Sequence, residues 1–214
     1  MKDKIRKLFT NVWTIPNVLT MLRLVMIPVF VLFFCKAHPA GQPVQNAWLK
    51  ASLAVFVLAS LTDMLDGFLA RKLNQITDFG KLFDPLADKL MVLTAMVCQA
   101  CVGVFPWVAI AIVAAKELYM VLGGIFMLSR NVVVYSNLVG KAAQVCFVAS
   151  LVLSFFHQEF LDGNILLKGG NAVLGDLTPD VILLWITVCL AILAMIVYTA
   201  EYFRNLNKPK EAEG

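Results

Sequence analysis

The sequence predicts an all-α integral membrane protein: six transmembrane helices preceded by a short N-terminal interfacial helix. Three observations carry that expectation. The 214 residues are 60% apolar and only 15% charged, against roughly 45–50% and about 25% in an ordinary soluble domain. Mean hydropathy is +0.81. The apolar residues run in long continuous stretches instead of alternating with period two, which excludes a closed barrel. A soluble core cannot absorb such an excess, because burial is limited by surface-to-volume scaling. A disordered chain, a secreted disulfide scaffold and a soluble nucleic-acid binder are excluded with it. The net charge of +4 is modest, so placement of the charges matters more than their sum.

Residues 1–13 interleave Lys2, Lys4, Arg6 and Lys7 with Ile5, Leu8, Phe9, Val12 and Trp13. At helical spacing the apolar residues share one face, as in a helix lying along a membrane surface. A cleaved signal peptide is the competing reading; Arg23 within the following apolar run and Lys36 after it argue against cleavage. A bilayer core of about 30 Å takes about 20 helical residues. That ruler gives spans at 17–36, 47–70, 83–102, 104–128, 138–156 and 181–203. Residues 14–204 then form one six-helix domain, and 205–214 a tail.

Basic residues fall on alternate connections. Arg71, Lys72 and Lys81 follow span two, Arg130 and Lys141 flank the next inner connection, and Arg204, Lys208 and Lys210 follow span six. The opposite side holds Lys36, Lys50 and Lys168 beside Asp162, Asp176 and Asp180. The positive-inside rule places both termini in the cytoplasm, which requires an even number of spans. Cys35, Cys98, Cys101, Cys146 and Cys189 lie in apolar stretches, where a thiol packs as a small hydrophobe. His38 and His157 are the only histidines, both in or near loops, so no histidine metal cluster is expected.

The segment from residue 63 to 88 carries the chemistry. Asp63 and Asp66 are spaced i,i+3 and Asp84 and Asp88 i,i+4, so each pair shares a helix face. Asp78 lies between them, and a short connection across 71–80 brings the two helix ends together. Four carboxylates meeting at a membrane edge cannot all stay ionised unaided. An all-oxygen ligand set favours a hard divalent cation, Mg²⁺ or Mn²⁺. The plainer alternative is a set of solvated acids neutralised by Arg71, Lys72, Lys81 and Lys89; the shared faces and the small residues Gly67, Ala70 and Gly80 argue against it.

The pattern Asp63-x-x-Asp66-Gly67-x-x-Ala70-Arg71, eight residues, then Gly80-x-x-x-Asp84-x-x-x-Asp88 resembles the CDP-alcohol phosphotransferase signature in every fixed position. Ile15-Pro16-Asn17-x-x-Thr20-x-x-Arg23, Ile27-Pro28 and the run 77–89 extend the likeness, most closely to bacterial phosphatidylglycerophosphate synthases. Residues 13–105 carry the close similarity.

The resemblance implies a six-helix homodimer in the bacterial cytoplasmic membrane, with its site open to the cytoplasm. It implies transfer of a phosphatidyl group from CDP-diacylglycerol to an alcohol such as glycerol 3-phosphate, with release of CMP. Asp63, Asp66, Asp84 and Asp88 would hold two divalent ions, Mg²⁺ or Mn²⁺, and Asp88 would also act as general base. Gly67, Ala70, Arg71 and Gly80 would bind the nucleotide donor, Arg71 offering a planar fork to phosphate.

Lys116, Lys141 and Arg130 are the candidate cations for a phosphorylated acceptor. A Lys116–Glu117 pair satisfied within the bundle is the alternative for the first. Gly123-Gly124 and Gly140-Lys141-Ala142-Ala143-Gln144 depart from the phosphatidylglycerophosphate synthase pattern by lacking two expected cations. That leaves phosphatidylglycerol open as acceptor, the reaction of a cardiolipin synthase. An ion carrier or channel is the reading from another class. It predicts acids spread through the membrane or inverted repeats, whereas here they gather at one edge and no repeat is present.

Overall fold

In a computed structural model, residues 14–72, 78–129, 138–163 and 177–206 are described. The expected interfacial helix at 1–13, the middle of the 71–80 connection, Arg130 and the tail beyond 206 lie outside them. Every regular element among the described residues is helical. In chain order these are α1 (Ile15–Ala37), α2 (Asn46–Lys72), α3 (Asp78–Cys101), α4 (Trp107–Ser129), α5 (Leu138–Ser154), α6 (His157–Asp162) and α7 (Pro179–Leu206). Six of them fall on the six expected spans, shifted by a few residues. The chain divides into two compact units, 1–102 and 103–214.

In the first unit α1 packs along α2 and also touches α3, and α2 meets α3. Its 23 residues extend about 35 Å, enough to cross a hydrocarbon core. Pro16 sits in the first turn, where a missing N–H costs nothing. Pro28 lies inside the helix and removes the donor that the carbonyl of Leu24 would otherwise receive. The buried stripe of α1 is two-part. Asn17, Thr20 and Arg23 come first; Phe30, Phe34 and Ala37 follow. Phe30 meets Phe34 at 5.8 Å and Phe56 of α2 at 6.2 Å between ring centroids.

The turn into α2 is closed by Gln42 N–H donating to the Pro39 carbonyl and Gln45 N–H to that of Ala37. Gly41 has φ of +70° there, a conformation that a side chain disfavours. At the same end Lys36 stacks over the Trp48 ring, 4.5 Å from its centroid. Gly103, with φ of +83°, stands two residues beyond α3, the usual position of a left-handed helix stop.

In the second unit α7 packs on both α4 and α5. Leu151, Val181, Leu184 and Val188 are fully or nearly fully buried between α5 and α7. The hydroxyls of Tyr119 and Thr199 are 2.8 Å apart, tying α4 to α7. A Cβ added at Gly123 would meet the Tyr198 ring at 3.9 Å, an ordinary contact.

Among the described residues, two helices are long and apolar enough to cross a membrane, over Asn17–Ala37 and Pro179–Ala200. Shorter apolar stretches occupy Asn46–Thr62 and Leu138–Ser154. α2 ends in Asp63 and Asp66, and α3 begins with Asp78, Lys81, Asp84, Asp88 and Lys89.

The fifth expected span, 138–156, is interrupted. Helix α5 stops at Ser154, and the short α6 starts at His157. His157, expected in or near a loop, is buried.

Candidate functional site

The carboxylate pattern is carried by two helices of one unit. Asp63, Asp66, Gly67, Ala70 and Arg71 fall in the last part of α2; Gly80, Asp84 and Asp88 fall in the first part of α3. An α-helix puts i,i+3 and i,i+4 neighbours on one face, so the helical backbone meets the spacing requirement of both pairs. Only five residues, 73–77, separate the two helices. The side chains of Asp63, Asp66, Gly67, Ala70, Arg71, Gly80 and Asp84 lie outside the described residues. Asp88 is half-buried, next to Ala87, which is wholly buried.

The remaining predicted residues belong to the second unit. Lys116 on α4 is half-buried and forms an ion pair with its neighbour Glu117. Lys141, four residues into α5, is exposed.

Burial also marks residues to which the sequence assigned no role in the site. Arg23 is 1% exposed, and its Nε–H donates to the carbonyl of Ala59 at 3.3 Å. The Thr62 hydroxyl donates to the same oxygen at 2.7 Å. In the second unit Nδ1 of His157 lies 2.9 Å from Oδ2 of Asp180 and 3.2 Å from Oγ1 of Thr178. A carboxylate only accepts, so with Asp180 ionised the ring N–H is the donor. Ser150 donates to the Asp180 backbone carbonyl at 2.9 Å. The sequence signal for this cluster is Thr178-Pro179-Asp180, a cap residue, a first-turn proline and a first-turn acid.

All-oxygen donors on two packed helices suit a hard divalent ion. Among the described residues themselves, no group of three or more potential ligands comes together.

The family model of the CDP-alcohol phosphatidyltransferases matches residues 13–193. The chain belongs to this family. It is therefore a transferase of a membrane-bound and generally divalent-metal-dependent family.

Relatives refine the comparison. The chain is 35% identical to the CDP-diacylglycerol–glycerol-3-phosphate 3-phosphatidyltransferase of Bacillus subtilis over 155 residues, covering 66% of this chain and 77% of the relative. It is 35% identical to the cardiolipin synthase (CMP-forming) of Streptomyces coelicolor over 134 residues, 62% and 60% of the two chains. Against the CDP-diacylglycerol–glycerol-3-phosphate 3-phosphatidyltransferase of Pseudomonas fluorescens, identity rises to 48% over 83 residues, 39% of each chain. For the latter two the match spans less than two thirds of the relative's length.

Proposed function

We propose that this transferase moves the phosphatidyl group of CDP-diacylglycerol to glycerol 3-phosphate and releases CMP at the cytoplasmic face of a bacterial membrane, working as a homodimer of six-span protomers. The observation that carries the reading is the Asp63, Asp66, Asp84 and Asp88 pattern, at helical spacing on two packed helices of a family member. Relatives bearing the glycerol-3-phosphate name support the acceptor.

Asp63, Asp66, Asp84 and Asp88 would hold two divalent ions. Bound there, such ions neutralise charge on the donor pyrophosphate and on departing CMP. The protein's own groups do the rest. Arg71 pairs with donor phosphate, and Gly67, Ala70 and Gly80 leave room for the nucleotide. Asp88 takes the proton of the acceptor hydroxyl. The freed oxygen forms the new bond to the phosphatidyl phosphorus, and the bond from that phosphorus to CMP breaks. Lys141, Lys116 and Arg130 hold the acceptor phosphate.

Cardiolipin synthesis is the second reading. It is favoured by Gly123-Gly124 and Ala142-Ala143 where acceptor cations are expected, and by the Streptomyces relative. An acceptor panel decides between them. Purified protein receives labelled CDP-diacylglycerol, Mg²⁺ or Mn²⁺ and one alcohol at a time. Product from glycerol 3-phosphate alone supports the first reading; product from phosphatidylglycerol alone replaces it with the second.

A further inference from the structure

A buried arginine in an apolar helix is costly to keep and usually serves a site. Arg23 is among the largest fully buried side chains of the first unit, and it sits where the polar stripe of α1, Asn17 and Thr20, gives way to the aromatic one. Its charge is permanent, since a guanidinium does not lose its proton in proteins. Its Nε–H reaches across to the Ala59 carbonyl on α2.

That carbonyl has a particular place in the helix. In the α-helical ladder it is also the acceptor for the N–H of Asp63, four residues on. The Thr62 hydroxyl donates to it as well. The oxygen on which Arg23 closes is thus shared with the turn of α2 that brings in the first carboxylate of the pattern.

We propose that Arg23 is a positioning residue of the carboxylate site. Its hydrogen bond to Ala59 locks α1 against α2 at the turn entering Asp63, and so fixes the backbone that presents Asp63 and Asp66. The proposal rests on the metal-binding reading of those aspartates. Arg23 acts through α2 and does not itself touch the donor. Partners that orient a metal ligand are worth about ten- to a hundredfold in metal affinity.

The test uses the full-length protein in lipid nanodiscs, with Mn²⁺ alone as probe and the free ion counted by its electron paramagnetic resonance signal. Arg23→Met removes both donor and charge and is expected to weaken Mn²⁺ binding about tenfold. Arg23→Gln keeps an N–H donor without the charge and is expected to stay within about threefold of the parent. Gel filtration and thermal unfolding verify that each variant is folded. Unchanged or tighter Mn²⁺ binding in a folded Arg23→Met overturns the proposal. So does equal loss in both variants, which would assign the effect to charge. If Arg23→Met does not fold, Arg23→Gln decides alone: binding within threefold upholds the role of the hydrogen bond, and a loss of tenfold or more overturns it. Asp63→Asn is the separate control. Full Mn²⁺ binding in that variant would defeat the metal-site reading itself, whatever Arg23 does.

Discussion

A carboxylate on a membrane helix is either compensated or absent, and the Asp63, Asp66, Asp84 and Asp88 pattern is compensated most economically by divalent ions. CMP release from CDP-diacylglycerol is therefore expected to stop in excess chelator and return on adding Mg²⁺ or Mn²⁺; full turnover by exhaustively metal-stripped protein would refute this. Asp84→Ala is expected to abolish CMP release, whereas Gly67→Leu should chiefly raise the donor KM by crowding the nucleotide.

The acceptor depends on cations of a different kind. Lys116 is engaged with Glu117, which leaves exposed Lys141 the better placed to meet a dianion. A charge-assisted hydrogen bond to phosphate is worth about 1.5–3 kcal/mol. Lys141→Ala should then raise the glycerol 3-phosphate KM about ten- to a hundredfold and barely move the donor KM. Steady-state kinetics with each substrate varied in turn checks it. The helical spacing of the aspartates was legible in the sequence, each pair falling at i,i+3 or i,i+4 on its own helix. Arg23 was legible as a motif letter but not as a buried donor, since nothing in its neighbours names Ala59, 36 residues away.

At the scale of elements, hydropathy found the apolar helices to within a few residues and missed the break after Ser154. The run from 145 to 156 is apolar but for Ser150 and Ser154, so periodicity offered no reason to end a helix. The cause is tertiary: His157 turns inward to Asp180 in the first turn of α7. Asp180 is wholly buried, and its Oδ1 finds no hydrogen-bond partner among the described residues. Its stability therefore leans on His157 and on the first turn of α7, where an acid is favoured. His157→Gln and Asp180→Asn are each expected to cost about 1–3 kcal/mol. Thermal unfolding in detergent reads this as a lowered midpoint, with the double variant falling by less than the two single effects added, because the residues share one bond. Strictly additive losses would show that the pair is not coupled. Turnover at low temperature should persist in both, as neither residue belongs to the proposed site.

For the whole molecule, the decisive question is how many helices cross the membrane. Among the described residues, length and apolarity qualify α1 and α7; the backbones of α2 and α3 run 27 and 24 residues, about 40 and 36 Å, long enough to cross as well. The positive-inside pattern argues for six crossings with both termini in the cytoplasm. Labelling distinguishes this from a two-crossing chain. With the five native cysteines replaced, single cysteines are introduced at Gln42, Ser136 and Lys208 and treated in intact cells with a membrane-impermeant maleimide. Six crossings leave Gln42→Cys labelled and both Ser136→Cys and Lys208→Cys protected until the membrane is permeabilised. If only α1 and α7 crossed, Ser136→Cys would be labelled together with Gln42→Cys, because everything between those helices would lie outside. The carboxylate pattern would then face away from the cytoplasm, against the location proposed for the site. Protection of Ser136→Cys in intact cells is thus a test of the active-site location as much as of the fold.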